Sequence, residues 1–431
     1  MRILSLVPGS GGTFYCQNCL RDRTMVRALR RLGHDVVMVP LYLPMYGGDT
    51  EVDTPAPIFF GGIGAYLREK VPLLRHAPEG LMRLLDAPAL LRWAAKQEGS
   101  TRSADLGAMT LSMLNGERGG QAAEIDRLVR WITEQERPEV IHVSNALLLG
   151  LAPRLREATG AAIVCSLQDE EPWVEGMGAP FTDLVWDAMR RLSGEVALFL
   201  STSRWYADRM RERLGLAEGR VRVVCPGVDP PAAPAWTAPP SPPTVGYLSR
   251  VHPAQGFDAL LDAFTELRRD PRFGALRLSA TGGVTPADRA YVTAVKERLQ
   301  RGGLADAVEI NESFSSAPGA EFFAPLSVLS TPAPDGEAFG LQIVEAMIRG
   351  IPAVQPRIAA YPEILEQGGG VLYDPSVPGA LAEALGGLLS DPERLRTLGA
   401  EARGIALARF SANAAARETL AACGAARELR P

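Results

Sequence analysis

Lysine is nearly missing from this chain: Lys70, Lys96 and Lys296 are the three found among 45 basic residues. Arginine supplies the rest, and 50 acidic residues bring the net charge to −5. No basic block stands out, so duplex nucleic acid, which needs a clustered cationic face, is excluded as a partner. No uninterrupted apolar run reaches the roughly 18 residues of a membrane span, although peripheral association stays open. Histidine is scarce (34, 76, 142 and 252), which leaves few side chains for proton transfer near neutral pH. The five cysteines (16, 19, 165, 225 and 423) are an odd set, mostly inside apolar runs. They suit a reducing compartment better than a disulfide framework, and a cytoplasmic location is expected. Met1 to Val7 is too short for a signal segment, and Gly9 follows it instead of a cleavage site, so it reads as a buried first strand.

What is present is an α/β alternation. At 431 residues, 46% hydrophobic and 22% charged, the chain is globular and exceeds one core. Strand 2–7, a Gly-rich turn (Gly9 to Gly12), a helix near 17–32 and a strand from His34 to Val39 open a doubly wound domain. The turn is not G-x-G-x-x-G, and no acidic residue ends the second strand, so a dinucleotide reading fails. Residues 61–135 read as a helical insertion with helices at 65–74, 81–97 and 122–135. Strands resume at 140–143, 162–166, 197–201 and 221–224. Prolines 230, 231, 234, 239, 240, 242 and 243 make 230–243 a semi-rigid linker. Beyond it, strands at 245–248, 276–280, 308–310 and 326–329 alternate with helices at 257–268, 286–301 and 315–323. Three further helices (378–389, 392–409 and 412–423) close the chain. The boundaries are thus 1–229, 230–243, 244–409 and a terminal segment 410–431.

The most informative stretch is Pro334-Asp335-Gly336-Glu337-Ala338-Phe339-Gly340-Leu341-Gln342-Ile343-Val344-Glu345-Ala346-Met347. Turn residues stop the preceding apolar run, and from Leu341 the apolar positions recur with helical spacing. Glu337 then lies in a loop and Glu345 on the second turn of a helix. The amides of Phe339, Gly340 and Leu341 fall at that helix's start, where unpaired N–H groups and the macrodipole suit a phosphate. With Gly350-Ile351-Pro352 and Tyr361-Pro362-Glu363 following, the stretch resembles the E-x7-E motif of the family-4 glycosyltransferases, retaining enzymes of GT-B architecture that use nucleotide sugars.

That resemblance implies two facing Rossmann-like domains with a cleft between them. The first would hold the acceptor, the second the nucleotide sugar, and the segment after Phe410 would cross back onto the first. Pro226-Gly227-Val228-Asp229 resembles the family's inter-domain signature, and Gly246 to Gly256 its donor loop. Arg250 fits the arginine that clamps the diphosphate, but Gln255 replaces the expected lysine. Glu337 would hold ring hydroxyls of the sugar and Glu345 the ribose. Gly11 and Gly12 would approach the donor's sugar–phosphate end. Gln168 and Asp169 stand where relatives carry His-Asp; glutamine cannot carry a proton, so an acid–base role there is in doubt, and the acidic run Asp169-Glu170-Glu171 could instead be a solvated loop. Cys16 and Cys19 form a C-x-x-C where the first helix begins, expected to line the cleft, with redox or metal chemistry as the alternative.

The implied activity is retaining transfer of a hexose, from a UDP-sugar in preference to a GDP-sugar, to a hydroxyl acceptor that the sequence does not name. No D-x-D follows a strand, so no metal and no cofactor beyond the donor co-substrate is expected. Segments 41–47 and 59–62 loosely resemble glycogen and starch synthases, which favours a UDP-hexose. A non-catalytic nucleotide- or sugar-binding protein and a GT-B nucleotide-sugar epimerase are the alternatives.

Overall fold

Among the described residues, twelve short strands, rich in Val, Leu and Ile, pair in parallel to form two sheets, as strands covered by helices on both faces should. The computed structural model describes residues 1–9, 15–42, 59–60, 103–231, 239–313 and 319–429. The expected helices at 65–74 and 81–97, Gly11 and Gly12, and linker residues 232–238 lie outside the described residues.

The chain divides into two compact units. The first comprises Met1–Gly11, Arg21–Cys225 and Ala415–Pro431; the second comprises Gly12–Leu20 and Pro226–Ala414. Cys16, Gln17 and Cys19 therefore group with the second unit, not with the segment that surrounds them in sequence.

In the first unit the sheet runs β2-β1-β3-β4-β5-β6, with β1 Arg2–Val7, β2 Asp35–Pro40, β3 Val140–Val143, β4 Ala162–Leu167, β5 Leu198–Ser201 and β6 Val221–Val223. Every residue of β3, β4 and β5 is buried. A helix at Ser103–Leu114 was not anticipated within the 61–135 span. Its packing face includes Gly107 and Ser112, which hides the apolar period; a Cβ on Gly107 would lie 2.5 Å from the Phe181 ring. The terminal helix, Ala412–Glu428, continues past the expected end at 423, and Arg427 pairs with Glu139 at 2.8 Å.

In the second unit the order is β12-β11-β10-β7-β8-β9, with β7 Thr244–Leu248, β8 Arg277–Thr281, β9 Val308–Ile310, β10 Val328–Leu329, β11 Ala353–Pro356 and β12 Gly370–Tyr373. Counted from β7, this is the Rossmann order 3-2-1-4-5-6. The helix Phe257–Leu267 seals one face, and Phe257 meets Tyr247 edge-on at 4.9 Å. Strand order reverses between β7 and β10, and ligands of such sheets bind at the carboxyl ends of the strands flanking that point.

Candidate active site

Both donor-side segments singled out in the sequence leave the sheet at this reversal. Ser249 and Arg250 follow β7, and the loop leading to Glu337 follows β10. Val328 pairs with Val245 and Leu329 with Gly246, so parallel pairing aligns segments that the sequence keeps far apart. Two glycines permit the approach. Gly256 has φ +77°, and a Cβ there would lie 2.0 Å from the Pro332 carbonyl oxygen. Gly340, at φ +114°, starts the seven-residue helix Leu341–Met347 in backbone space that other residues avoid.

The Glu337 carboxylate is 8% exposed and collects three donors. Gln17 Nε2 donates to Oε1 at 2.9 Å, while Gln342 Nε2 and the Tyr361 hydroxyl donate to Oε2 at 2.6 and 3.2 Å. Gln17 also accepts the Leu341 N–H at 3.0 Å through Oε1. One side-chain amide thus ties the loop glutamate to the first amide of the helix, and that helix start is partly satisfied by protein. Gln17 went unnoticed in the sequence because its partner lies 320 residues away. Gln342 and Tyr361 lie inside the resembling stretch and its following helix, where their types could have been weighed.

Glu345 sits one turn into the helix, buried, with Oε2 lacking any hydrogen-bond partner among the described residues. Burial pushes its carboxyl up to about 7, and the nearby Arg349 charge pulls the other way. Arg349 donates to the Glu345 carbonyl at 2.5 Å and lies 3.9 Å from the centre of the Phe323 ring, a cation–π contact. Tyr15 is buried nearby: burial first, then the charges of Glu345 and Glu337, raise its phenol well above the usual range. Its N–H is anchored on the Gly282 carbonyl at 2.9 Å. An ionisable carboxylate with an unmet acceptor, held in a low-dielectric wall, is suited to receiving ligand hydroxyls.

Arg250 is less committed. Its guanidinium lies 3.6 Å from the buried Asp288 and is 38% exposed, so most of its donors remain available to an anion. Tyr247 donates to the carbonyls of Arg250 and Gln255 and also feels the Glu337 charge, which brings the β7 loop and the glutamate loop together. Gln255 Oε1 accepts from Ser249 Oγ at 3.0 Å. His252 caps the short turn Pro253–Gln255 by accepting the Ala254 N–H at Nδ1. Its pKa is lowered by burial and then by Arg250, which disfavours a second positive charge beside that guanidinium. Arg357, another arginine of this region, pairs with Glu366 at 3.4 Å on the surface.

The first unit presents a different constellation at the carboxyl ends of β3 and β4. Gln168 is buried, and its Nε2 donates to Ser144 O at 2.5 Å and to Ser144 Oγ at 3.1 Å. Its Oε1 has no partner among the described residues. Ser144 Oγ donates in turn to Asp22 at 2.6 Å, and Asp22 pairs with the buried Arg21. The acidic run is not a solvated loop. Glu170 is buried, accepts from Tyr206, Ala146 N and Gln168 N, and burial raises its pKa; Glu171, also buried, pairs with Arg209. Asp169 stands in left-handed backbone space at φ +54°. His142, between Ser5 and Ser166, is lowered to about 4 by burial and stays neutral. Among the described residues, no group of three His, Cys, Asp or Glu side chains could hold a metal ion. Nor is any helix there long and apolar enough to cross a membrane.

Residues 23–227 match the family described as Glycosyl transferase 4-like domain, and residues 242–391 match Glycosyl transferases group 1. The chain belongs to the family-4 glycosyltransferases. Among its relatives is the D-inositol 3-phosphate glycosyltransferase of Segniliparus rotundus, 31% identical over 56% of this chain and 56% of that protein. The chain thus spans little more than half the length of that relative. The GDP-mannose-dependent alpha-(1-6)-phosphatidylinositol monomannoside mannosyltransferase of Mycolicibacterium smegmatis is 26% identical over 80% of this chain and 90% of its own. Two solved structures show the fold to be GT-B. Sucrose-phosphate synthase from Thermosynechococcus elongatus gives a TM-score of 0.68 at 17% identity over 98% of both chains. Anabaena HepE, solved with UDP and glucose, gives 0.65 at 17% identity, also over 98% of both.

Proposed function

We propose that this glycosyltransferase moves a hexose from a nucleotide sugar to a hydroxyl acceptor with retention of anomeric configuration. A UDP-sugar is the favoured donor and a GDP-sugar the other option. The observation that carries the reading is the pair of glutamates: Glu337 held by three donors, and eight residues on, Glu345 buried with an unmet acceptor oxygen. Glu345 would take the ribose hydroxyls, Glu337 the hexose ring, and Arg250 the diphosphate, whose developing charge its guanidinium stabilises. The anomeric carbon–oxygen bond to phosphate breaks while the acceptor oxygen bonds on the same face. The acceptor's proton passes to the departing phosphate oxygen, so no protein base is required. Gln168 and Asp169 in the first unit would contact the acceptor. The inositol phosphate and phosphatidylinositol substrates named for the relatives make phosphorylated polyols the first acceptors to try. A donor screen that follows release of UDP or GDP, with the product's anomeric configuration read by NMR, tests the reading. Inversion, or no nucleotide release with any donor, would overturn it.

Two further outcomes are expected. Turnover should survive EDTA, because no D-x-D is present and Arg250 carries the phosphate charge; activity lost on chelation and restored by Mn²⁺ would refute this. Gln255→Lys should tighten UDP several-fold, since a second cation beside Arg250 adds on the order of 1 kcal/mol after loss of the Ser249 bond. Calorimetry should show the gain for UDP and not for uridine, and fading with salt. An equal response from uridine would place Gln255 away from the diphosphate.

A further inference from the structure

Cys16 and Cys19 occupy the N-cap and N3 positions of α1 (Gln17–Arg31). These are the two positions of a capping box, where Ser or Thr followed by Glu or Gln stabilises a helix start. Both are cysteine here, and the first turn holds no acidic residue. Stability alone does not account for that choice. The two Sγ atoms lie 2.7 Å apart, and the Cys19 N–H donates to Cys16 Sγ at 3.4 Å. Cys16 Sγ is thus the acceptor of one of the N–H groups that lack an intrahelical partner at the helix start. Both cysteines are partly accessible, whereas Cys165 and Cys423 are buried and burial raises their thiols. With no third ligand among the described residues, a metal is not the better reading.

Between the two cysteines stands Gln17, whose side chain holds both Glu337 and the Leu341 N–H. We infer that Cys16 and Cys19 form a reversible dithiol–disulfide site that sets how firmly Gln17 grips the Glu337 loop. The oxidant is a low-molecular-weight disulfide. Cys16 thiolate attacks one of its sulfurs, the oxidant's S–S bond breaks, and one thiol leaves, taking up the proton that Cys16 released. Cys19, losing its proton, then attacks the Cys16 sulfur of the mixed disulfide and expels the second thiol. Two cysteine thiols are oxidised and one disulfide is reduced to two thiols. The new bond closes a ring over Cys16, Gln17, Asn18 and Cys19. It removes backbone freedom at Gln17 and steadies its two hydrogen bonds.

The test uses the whole chain poised in reduced or oxidised glutathione. Alkylation and peptide mapping should show both cysteines protected after oxidation, with a loss of two hydrogens and no retained glutathione, and recovery in dithiothreitol. Hydrogen exchange of the peptide over 337–347 should slow about three- to tenfold on oxidation, as expected for firming one amide pairing. Gln17→Ala should form the same disulfide and show no slowing, and Cys19→Ser should show neither. Mixed disulfides without the internal bond, or a disulfide that leaves the exchange unchanged, would overturn the inference. Its consequence for donor affinity, tighter UDP binding by the oxidised form, rests on the proposed function. UDP that binds neither form while the exchange difference persists would defeat that function and leave the thiol site standing. UDP binding without a disulfide would do the reverse.

Discussion

Replacing Glu337 with alanine is expected to lower kcat/KM by about 10²- to 10³-fold, the size seen when one electrostatic contact to a reacting centre is lost. UDP affinity should change by no more than about threefold, because the lost contact is made to the sugar and not the nucleotide. The structure adds a reason for severity. Alanine would take the shared acceptor away from Gln17 Nε2, Gln342 Nε2 and the Tyr361 hydroxyl; Tyr361 keeps the Thr331 carbonyl at 3.4 Å, but Gln342 is fully buried, and an unmet buried group costs about 1–3 kcal/mol. Glu337→Gln should do little better, since its NH2 would meet groups that are themselves donors. Glu337→Asp keeps the charge and should recover part of the rate. Steady-state kinetics beside UDP calorimetry reads the separation. A variant with near-normal turnover, or one whose UDP affinity falls as far as its turnover, would remove Glu337 from the sugar.

Glu345→Gln is expected to weaken UDP by about 10- to 100-fold, as loss of a charge-assisted pairing worth about 1.5–3 kcal/mol requires. The pH dependence is the sharper test. With its carboxyl pushed up to about 7 by burial, Glu345 is largely protonated at pH 6 and ionised at pH 8. Diol hydroxyls donate best to the ionised form, so wild-type UDP affinity should rise over that window and the variant's should stay flat. Stability runs the other way. A folded pKa raised above the unfolded value near 4.5 contributes stability that is present below 4.5 and is lost as pH rises through about 7. Above that, the unpaired buried charge costs on the order of 3 kcal/mol. Glu345→Gln without nucleotide should therefore melt higher than wild type at pH 8 and equal to it near pH 4. Parallel UDP affinities across pH in the two proteins would sink the ribose assignment.

Much of this protein was legible because its signals are local. Short runs rich in Val, Leu and Ile, punctuated by glycine and proline, mark most of the strands without reference to the rest of the chain. The Glu337–Glu345 spacing likewise depends only on a turn followed by helix. Ser103–Leu114 escaped because small residues on its packing face, Gly107 and Ser112, break the apolar period while letting the helix approach the Phe181 ring closely. The acidic run at 169–171 left a solvated loop open as an alternative, because charge type is visible in sequence and burial is not. Only the fold supplies the Tyr206 and Arg209 partners that permit Glu170 and Glu171 to be buried.

By itself, then, the amino-acid sequence determined the parallel α/β architecture, and it singled out Arg250, Gln255, Glu337 and Glu345 as candidates for the site. Tertiary structure alone decided which of them meet, and what else joins them. Strand order placed β7 beside β10, so loops more than 80 residues apart leave the sheet together. It also brought Tyr15 and Gln17 from near the N-terminus to the two glutamates, a contact no periodicity could foretell. The physical reason is the same in each case. Secondary structure follows from neighbours along the chain, whereas the burial, charge state and partners of a polar side chain follow from neighbours across it.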